Sequence, residues 1–160
     1  MKKTILLFLG LAIAFFLISS SSQDKAEKAK YSGAHACGTC HGEDSLGNQS
    51  AIWEKSLHAK SYSVLTDSGF VASAKERGMD PLPADDPGCL VCHAPLYKVA
   101  PDIMQEGVTC EACHDPTKIH DKKKDEVTSC LTCHENAHNK PFDLPSAWEK
   151  VKHPLPDKGK

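Results

Sequence analysis

Four copies of Cys-x-x-Cys-His punctuate the chain: Cys37/Cys40/His41, Cys89/Cys92/His93, Cys110/Cys113/His114 and Cys130/Cys133/His134. Together they consume all 8 cysteines. Paired thiols with a histidine directly behind the second form the attachment signal of a c-type haem. The thiols bond covalently to the porphyrin, and the histidine takes one face of the iron. Zinc is the main rival. Cys89/Cys92 with Cys110/Cys113, and Cys110/Cys113 with Cys130/Cys133, fit zinc-ribbon spacings. Zinc, however, has no need of a histidine after every second cysteine. The pattern predicts four covalently bound haem c groups, and electron transfer is the first function it suggests.

Each iron has a second face. The chain has 9 histidines. Setting aside His41, His93, His114 and His134 leaves His35, His58, His120, His138 and His153 as candidate ligands. His58 and His153 stand out because each closes a repeated segment, Trp53-Glu-Lys-Ser-Leu-His58 and Trp148-Glu-Lys-Val-Lys-His153. The bland reading of that repeat is two amphipathic surface helices that share three residues by accident. His120 lies six residues beyond His114, too close to wrap around the same iron, so it should serve a neighbouring haem. His35 and His138 are weaker candidates. Met79 and Met104 have no distinctive context and read as packing residues. The expectation is mostly bis-histidine irons.

Elements that position these groups are sparse. Helical spacing of Trp53, Leu57, Ser61 and Val64 predicts a helix over about 50–65, and a second is expected over 70–77, stopped by Gly78. Residues 79–88, rich in proline, read as a loop. Ser146 and Glu149 are placed as a capping box for a helix that Pro154 ends. No segment of length alternates like a strand. The fold expected is mainly α with extensive loops, wrapped around four haems. Few aromatics follow residue 30, so the porphyrins should supply much of the apolar core, and the haem-free chain should not fold.

Residues 1–22 read as a signal peptide: Lys2 and Lys3, an apolar run from Ile5 to Ile18, then small residues Ser19 to Ser22. Fourteen residues make a helix of about 21 Å against a hydrocarbon core of about 30 Å, which favours cleavage over a retained anchor. Residues 23–30 form a charged linker, and 31–160 one tetrahaem domain. Export to the periplasm agrees with haem attachment outside the cytoplasm, and a membrane anchor facing the periplasm is the alternative. Formal net charge is −2. There is no basic field for nucleic acid. Lys122 to Lys124 reads as a solvated loop, with a docking patch for an acidic redox partner as the sharper alternative.

Tyr31-Ser-Gly33, Cys37-Gly-Thr-Cys-His41 and Trp53-x-x-Ser-x-His58-Ala-Lys together resemble the first haem segment of the cytochrome c-554 family of tetrahaem proteins. Gly107-Val-Thr-Cys110-Glu-Ala-Cys-His114 followed by His120 is similar to its third haem segment. Trp148-x-x-x-x-His153-Pro resembles a terminal segment of its relatives. The resemblance implies haems stacked in close pairs. By position it implies that His58 serves the third haem, His120 the first and His153 the fourth. It also implies a second haem without a protein ligand on its far face, although His35 or His138 could close that site here. The leading reading is therefore an exported tetrahaem carrier passing electrons between redox proteins or from a quinone-linked membrane complex. The runner-up is a small enzyme that turns over a nitrogen species or peroxide at an open second haem. A carrier is favoured over an enzyme, because no candidate acid, base or triad accompanies the haem sites.

Overall fold

The computed structural model describes residues 31–117, 130–135, 138 and 140–154. The expected signal segment, the charged linker, His120 and Lys122 to Lys124 lie outside the described residues. Every attachment motif sits on or against a short helix. These are α1 (Ala34–His41), α5 (Pro87–His93), α6 (Cys110–Cys113) and α7 (Leu131–His134). Between them run α2 (Gln49–Lys55), α3 (Ser61–Leu65), α4 (Ser68–Glu76) and two 3-10 turns, Asp44–Leu46 and Pro101–Glu106. The last helix is α8 (Leu144–Val151). Among the described residues there is no strand beyond an isolated bridge position at His114. No described helix is long and apolar enough to cross a membrane. Ser32–Lys160 form one unit. The expected architecture, mainly helical with long loops, is what the chain adopts.

Local chemistry explains the helix starts. Asp67 accepts from the Phe70 N–H at 2.9 Å to cap α4. Asp86 accepts from Gly88 N–H at 2.7 Å, and Pro87 supplies a preset φ in the first turn of α5. That cap pulls Pro87 and Gly88 out of the expected loop and into the helix. The helix expected over 50–65 is broken. Ser56 is extended (φ −75, ψ 163), so α2 ends at Lys55 and α3 begins only at Ser61. His58 lies in the intervening turn. With the helical phase lost there, the predicted stripe does not face a core: Leu57 is 84% exposed and Val64 48%. At α8 the expected capping box does not form. The N-cap is Asp143 instead of Ser146, so the helix starts earlier, at Leu144, and Ser146 donates to Asp143. It ends at Val151, so His153 stands beyond it rather than on its last turn.

The polypeptide has little core of its own. Among the described residues the buried hydrophobic ones are Ala34, Leu65, Ala74, Leu90, Ala94 and Ala100. The main cluster is Leu65, Leu90 and Ala94, with Tyr62, Phe70, Tyr97 and Met104 packed against it. It surrounds the second motif, where α3 packs on α5, α4 and the 101–106 turn. Elsewhere large apolar side chains stay exposed, among them Val91 and Leu131 inside the attachment motifs and Trp148 on α8. A flat apolar group lying on each motif would cover such side chains.

Two carboxylates join the first and third motifs. Glu111, buried on α6, accepts from the N–H groups of Ser32 at 2.7 Å and Gly33 at 2.9 Å. Glu106 accepts from Ala34 N–H at 2.6 Å. Negative charge here meets the unsatisfied N–H groups and positive dipole end of α1. Gly33 has φ +86, and an added Cβ would stand 2.6 Å from Glu106 Oε1, so only glycine fits this clasp.

Candidate functional site

Helix α1 carries the Cys37 thiol to the Cys110 thiol on α6, within hydrogen-bonding reach. The contact pushes Cys110 up in pKa and Cys37 down, as expected when one thiol donates to the other. Cys113, at the other end of α6, is raised by burial and then by neighbouring Cys130. Cys133 is pushed up to about 11 by burial first and neighbouring Cys92 second. The Cys92 thiol also lies 4.0 Å from the Cys133 carbonyl. The attachment points thus adjoin in the order first, third, fourth, second.

Cys40 departs from this pattern. Spacing treats the two cysteines of a motif alike, and both were expected at the haem edge. The structure separates them: Cys40 is exposed, whereas the other seven cysteines are half-buried. The reason lies in how α1 is held. Its N-terminal end is clasped by Glu106 and Glu111, which presses Cys37 against Cys110. Cys40 lies a turn further on, next to the helix end at His41 and Gly42, where the chain turns out to solvent. A haem bonded to both thiols would have one edge against the third motif and the other at the surface.

Histidines meet across these motifs in pairs. The ring centres of His58 and His134 are 6.1 Å apart, those of His93 and His138 6.0 Å, and those of His114 and His153 5.8 Å. A metal bound to one nitrogen of each ring, with bonds of about 2 Å, puts two imidazole centres about 6 Å apart. Direct ring stacking would bring them closer, as in His134 against Phe142 at 4.3 Å and 11°. The spacing of all three pairs leaves room for one metal between two axial ligands.

Neighbouring groups orient the rings. The Nδ1–H of His93 donates to the Ser61 carbonyl at 2.8 Å, which leaves Nε2 as the metal-binding nitrogen. His41 Nδ1 lies 3.3 Å from the Gln49 amide oxygen. Gln49 also donates to the Pro154 carbonyl at 2.9 Å, tying the residue after His153 to the first motif. Burial, and then nearby His134, holds the pKa of His58 below its usual value. His58 is thereby kept as the neutral imidazole that metals require. The donor set fits haem c: two soft thiols per site and a facing pair of neutral-capable imidazoles.

The pairing departs from the one implied by resemblance. His58 faces His134 of the fourth motif, not His114 of the third, and His153 faces His114, not His134. The cause is local anchoring. The turn holding His58 is bonded through its own carbonyl to Val108 N–H at 3.1 Å, just ahead of the third motif. Held there by its backbone, it directs its ring away toward His134. The C-terminal segment is tied to Gln49 beside the first motif, which adjoins the third, and so delivers His153 to His114. His35 is exposed and sits edge-on to Trp53 at 5.9 Å.

Ser61 was not visible as a functional residue. Its hydroxyl lies 2.7 Å from the His58 carbonyl and 2.8 Å from that of His93, and accepts from Val108 N–H at 3.1 Å. It joins a distal segment, a proximal segment and the third motif. Gly107 makes this junction possible. It has φ +74, and a Cβ there would stand 2.5 Å from Ser61 Oγ and 2.7 Å from the His58 carbonyl. Gly107→Ala should therefore cost about 2 kcal/mol or more from strain and overpacking. Thermal melts are expected to show a drop in Tm of roughly 5–10 °C. An unchanged Tm would show that the junction relaxes freely.

Comparison with known proteins identifies the family. The family model described as cytochrome c554 and c-prime matches residues 36–115, half of the chain, including the first three motifs. The chain belongs to the cytochrome c554 family. Haem c bound covalently through Cys-x-x-Cys-His is the cofactor of such c-type cytochromes. Cytochrome c-554 of Nitrosomonas europaea is 27% identical over 121 residues, which cover 70% of this chain. The match takes in 49% of that protein, so the chain spans about half the length of this curated relative. No solved structure matches.

Proposed function

We propose that this chain is an exported tetrahaem c-type cytochrome that carries electrons between redox partners. The observation that carries the reading is the set of three histidine pairs at 5.8–6.1 Å, each joining the histidine of one attachment motif to a histidine from elsewhere. A haem iron held in this way would supply ferric–ferrous exchange and would have no open position for substrate. The protein's part would be to fix both ligands and hold the sites next to one another. Cys37/Cys40, Cys89/Cys92, Cys110/Cys113 and Cys130/Cys133 would anchor the four groups. His41, His93, His114 and His134 would bind from the proximal side. His134 and His114 take His58 and His153 as partners, and His120 is left for His41, as the resemblance implies.

The adjacency of motifs supports a continuous route. Because the first motif touches the third, the third the fourth and the fourth the second, an electron entering at either end need not cross a gap. The exposed Cys40 edge of the first site would be one point of entry or exit. The partners are read as other redox proteins or a quinone-linked complex at the membrane. Loss of the signal segment removes Lys2 and Lys3 from 19 basic residues and leaves 17 against 21 acidic, so a partner with a basic docking face is favoured.

Intact-mass measurement of the chain purified from a haem-loading host tests both halves of the reading. The expected product starts after residue 22 and carries four haems. A chain with fewer haems, or one that retains Met1, would overturn the tetrahaem or the cleaved-export assignment respectively.

A further inference from the structure

We propose that His138 is the sixth ligand of the second haem, opposite His93, and closes that iron to exogenous molecules. The inference rests on the reading that each motif carries a haem. It runs against the open second haem that the resemblance implies.

Three observations converge. The ring centre of His138 lies 6.0 Å from that of His93, the same separation as in the two pairs already assigned, with planes 71° apart. Two imidazoles that share a metal axis can rotate freely about it, so the angle does not oppose ligation. His93 is already oriented: its Nδ1–H is bound to the Ser61 carbonyl, and Nε2 is the nitrogen left for iron. Connectivity then supplies the ligand. The second motif adjoins the fourth through Cys92 and Cys133, and His138 lies four residues past His134. A histidine four residues beyond the fourth motif is therefore within reach of the second.

The backbone at His138 supports a dedicated role. Its φ is +54, in the left-handed region that a side chain other than glycine enters at a cost of about 1–2 kcal/mol. Such conformations persist where another interaction holds them, and a bond to iron is one that can. His35 of α1, the other candidate for this iron, is set against Trp53 of α2. The haem inside the main hydrophobic cluster is thus coordinatively saturated, as a carrier needs and a substrate-reducing centre does not.

The test uses the full haem-loaded chain, with haem content fixed by intact mass. The ferric protein should show only low-spin signals by electron paramagnetic resonance, and the ferrous protein should bind no carbon monoxide. His138→Ala should convert one haem to high spin and raise carbon monoxide binding from none to one per chain, and added imidazole should restore the low-spin spectrum. If His138→Ala yields too little protein, His138→Met should keep the haem low-spin while raising the potential of one centre. A wild-type chain with four haems, one of them high-spin and carbon monoxide-binding, overturns the proposal while leaving the tetrahaem reading intact. So does a high-spin haem that arises from His35→Ala instead. Fewer than four haems by mass is the separate failure of the underlying reading.

Discussion

Replacing Cys110 and Cys113 with serine is expected to leave no cooperatively folded protein. Helix α6 stands at the centre of the assembly. Its first cysteine touches Cys37, its last adjoins Cys130, and Glu111 between them holds the N–H groups ahead of α1. On the proposed reading, loss of this haem would remove a group that lies between both neighbouring sites. The polypeptide cannot compensate, because four of the six buried hydrophobic residues among those described are alanines. Alanine burial recovers little free energy from water, while every ordered residue costs about 1–2 kcal/mol of backbone entropy. The expected readout is loss of the thermal transition by circular dichroism, with rapid cleavage by trypsin. A cooperative melt in a three-haem chain would show that the protein core suffices without the central porphyrin.

His58→Ala and His153→Ala are expected to open different irons, and in the reverse of the order implied by family resemblance. Each variant should turn one haem in four high-spin. For His58→Ala it should be the fourth haem, because His58 faces His134; for His153→Ala it should be the third. Phe142 provides an internal reporter. It is stacked on His134 at 4.3 Å, so its ring resonances should shift and broaden strongly when the fourth iron becomes high-spin. His58→Ala should therefore perturb Phe142, and His153→Ala should leave it nearly unchanged. The opposite result would restore the pairing by sequence position. Both variants should also raise the potential of the opened centre, since an imidazole that stabilises ferric iron is lost.

Much of this site was legible as residues and little of it as contacts. Eight cysteines in four motifs define the attachment points without any structure, and the repeated Trp-Glu-Lys segments single out His58 and His153, which the structure sets against motif histidines. The helix expected over 70–77 forms as Ser68–Glu76, whereas the caps at Asp67 and Asp86 were not read from the sequence. What spacing could not show is which histidine meets which. That depends on a break at Ser56 and on the bond from Gln49 to Pro154, which are 105 residues apart. Nor could it show that Cys40 would differ from Cys37, since only the clasp on α1 separates the two. Ser61, Glu106 and Glu111 were unreadable for the same reason. They act through backbone groups across 32–79 residues of sequence, where no periodicity leaves a trace.

The exchange of histidines between motifs also sets an order of manufacture. A chain emerging from its N-terminus presents the second motif long before His138, and the third long before His153. Of the three facing pairs, only the one at the fourth motif has its other histidine, His58, earlier in the chain. Under the proposed ligation, the second and third sites would therefore lack one histidine until later stretches arrive. On the proposed ligation the third site is completed only by His153, and a chain cut short before that residue would leave its haem open to small ligands.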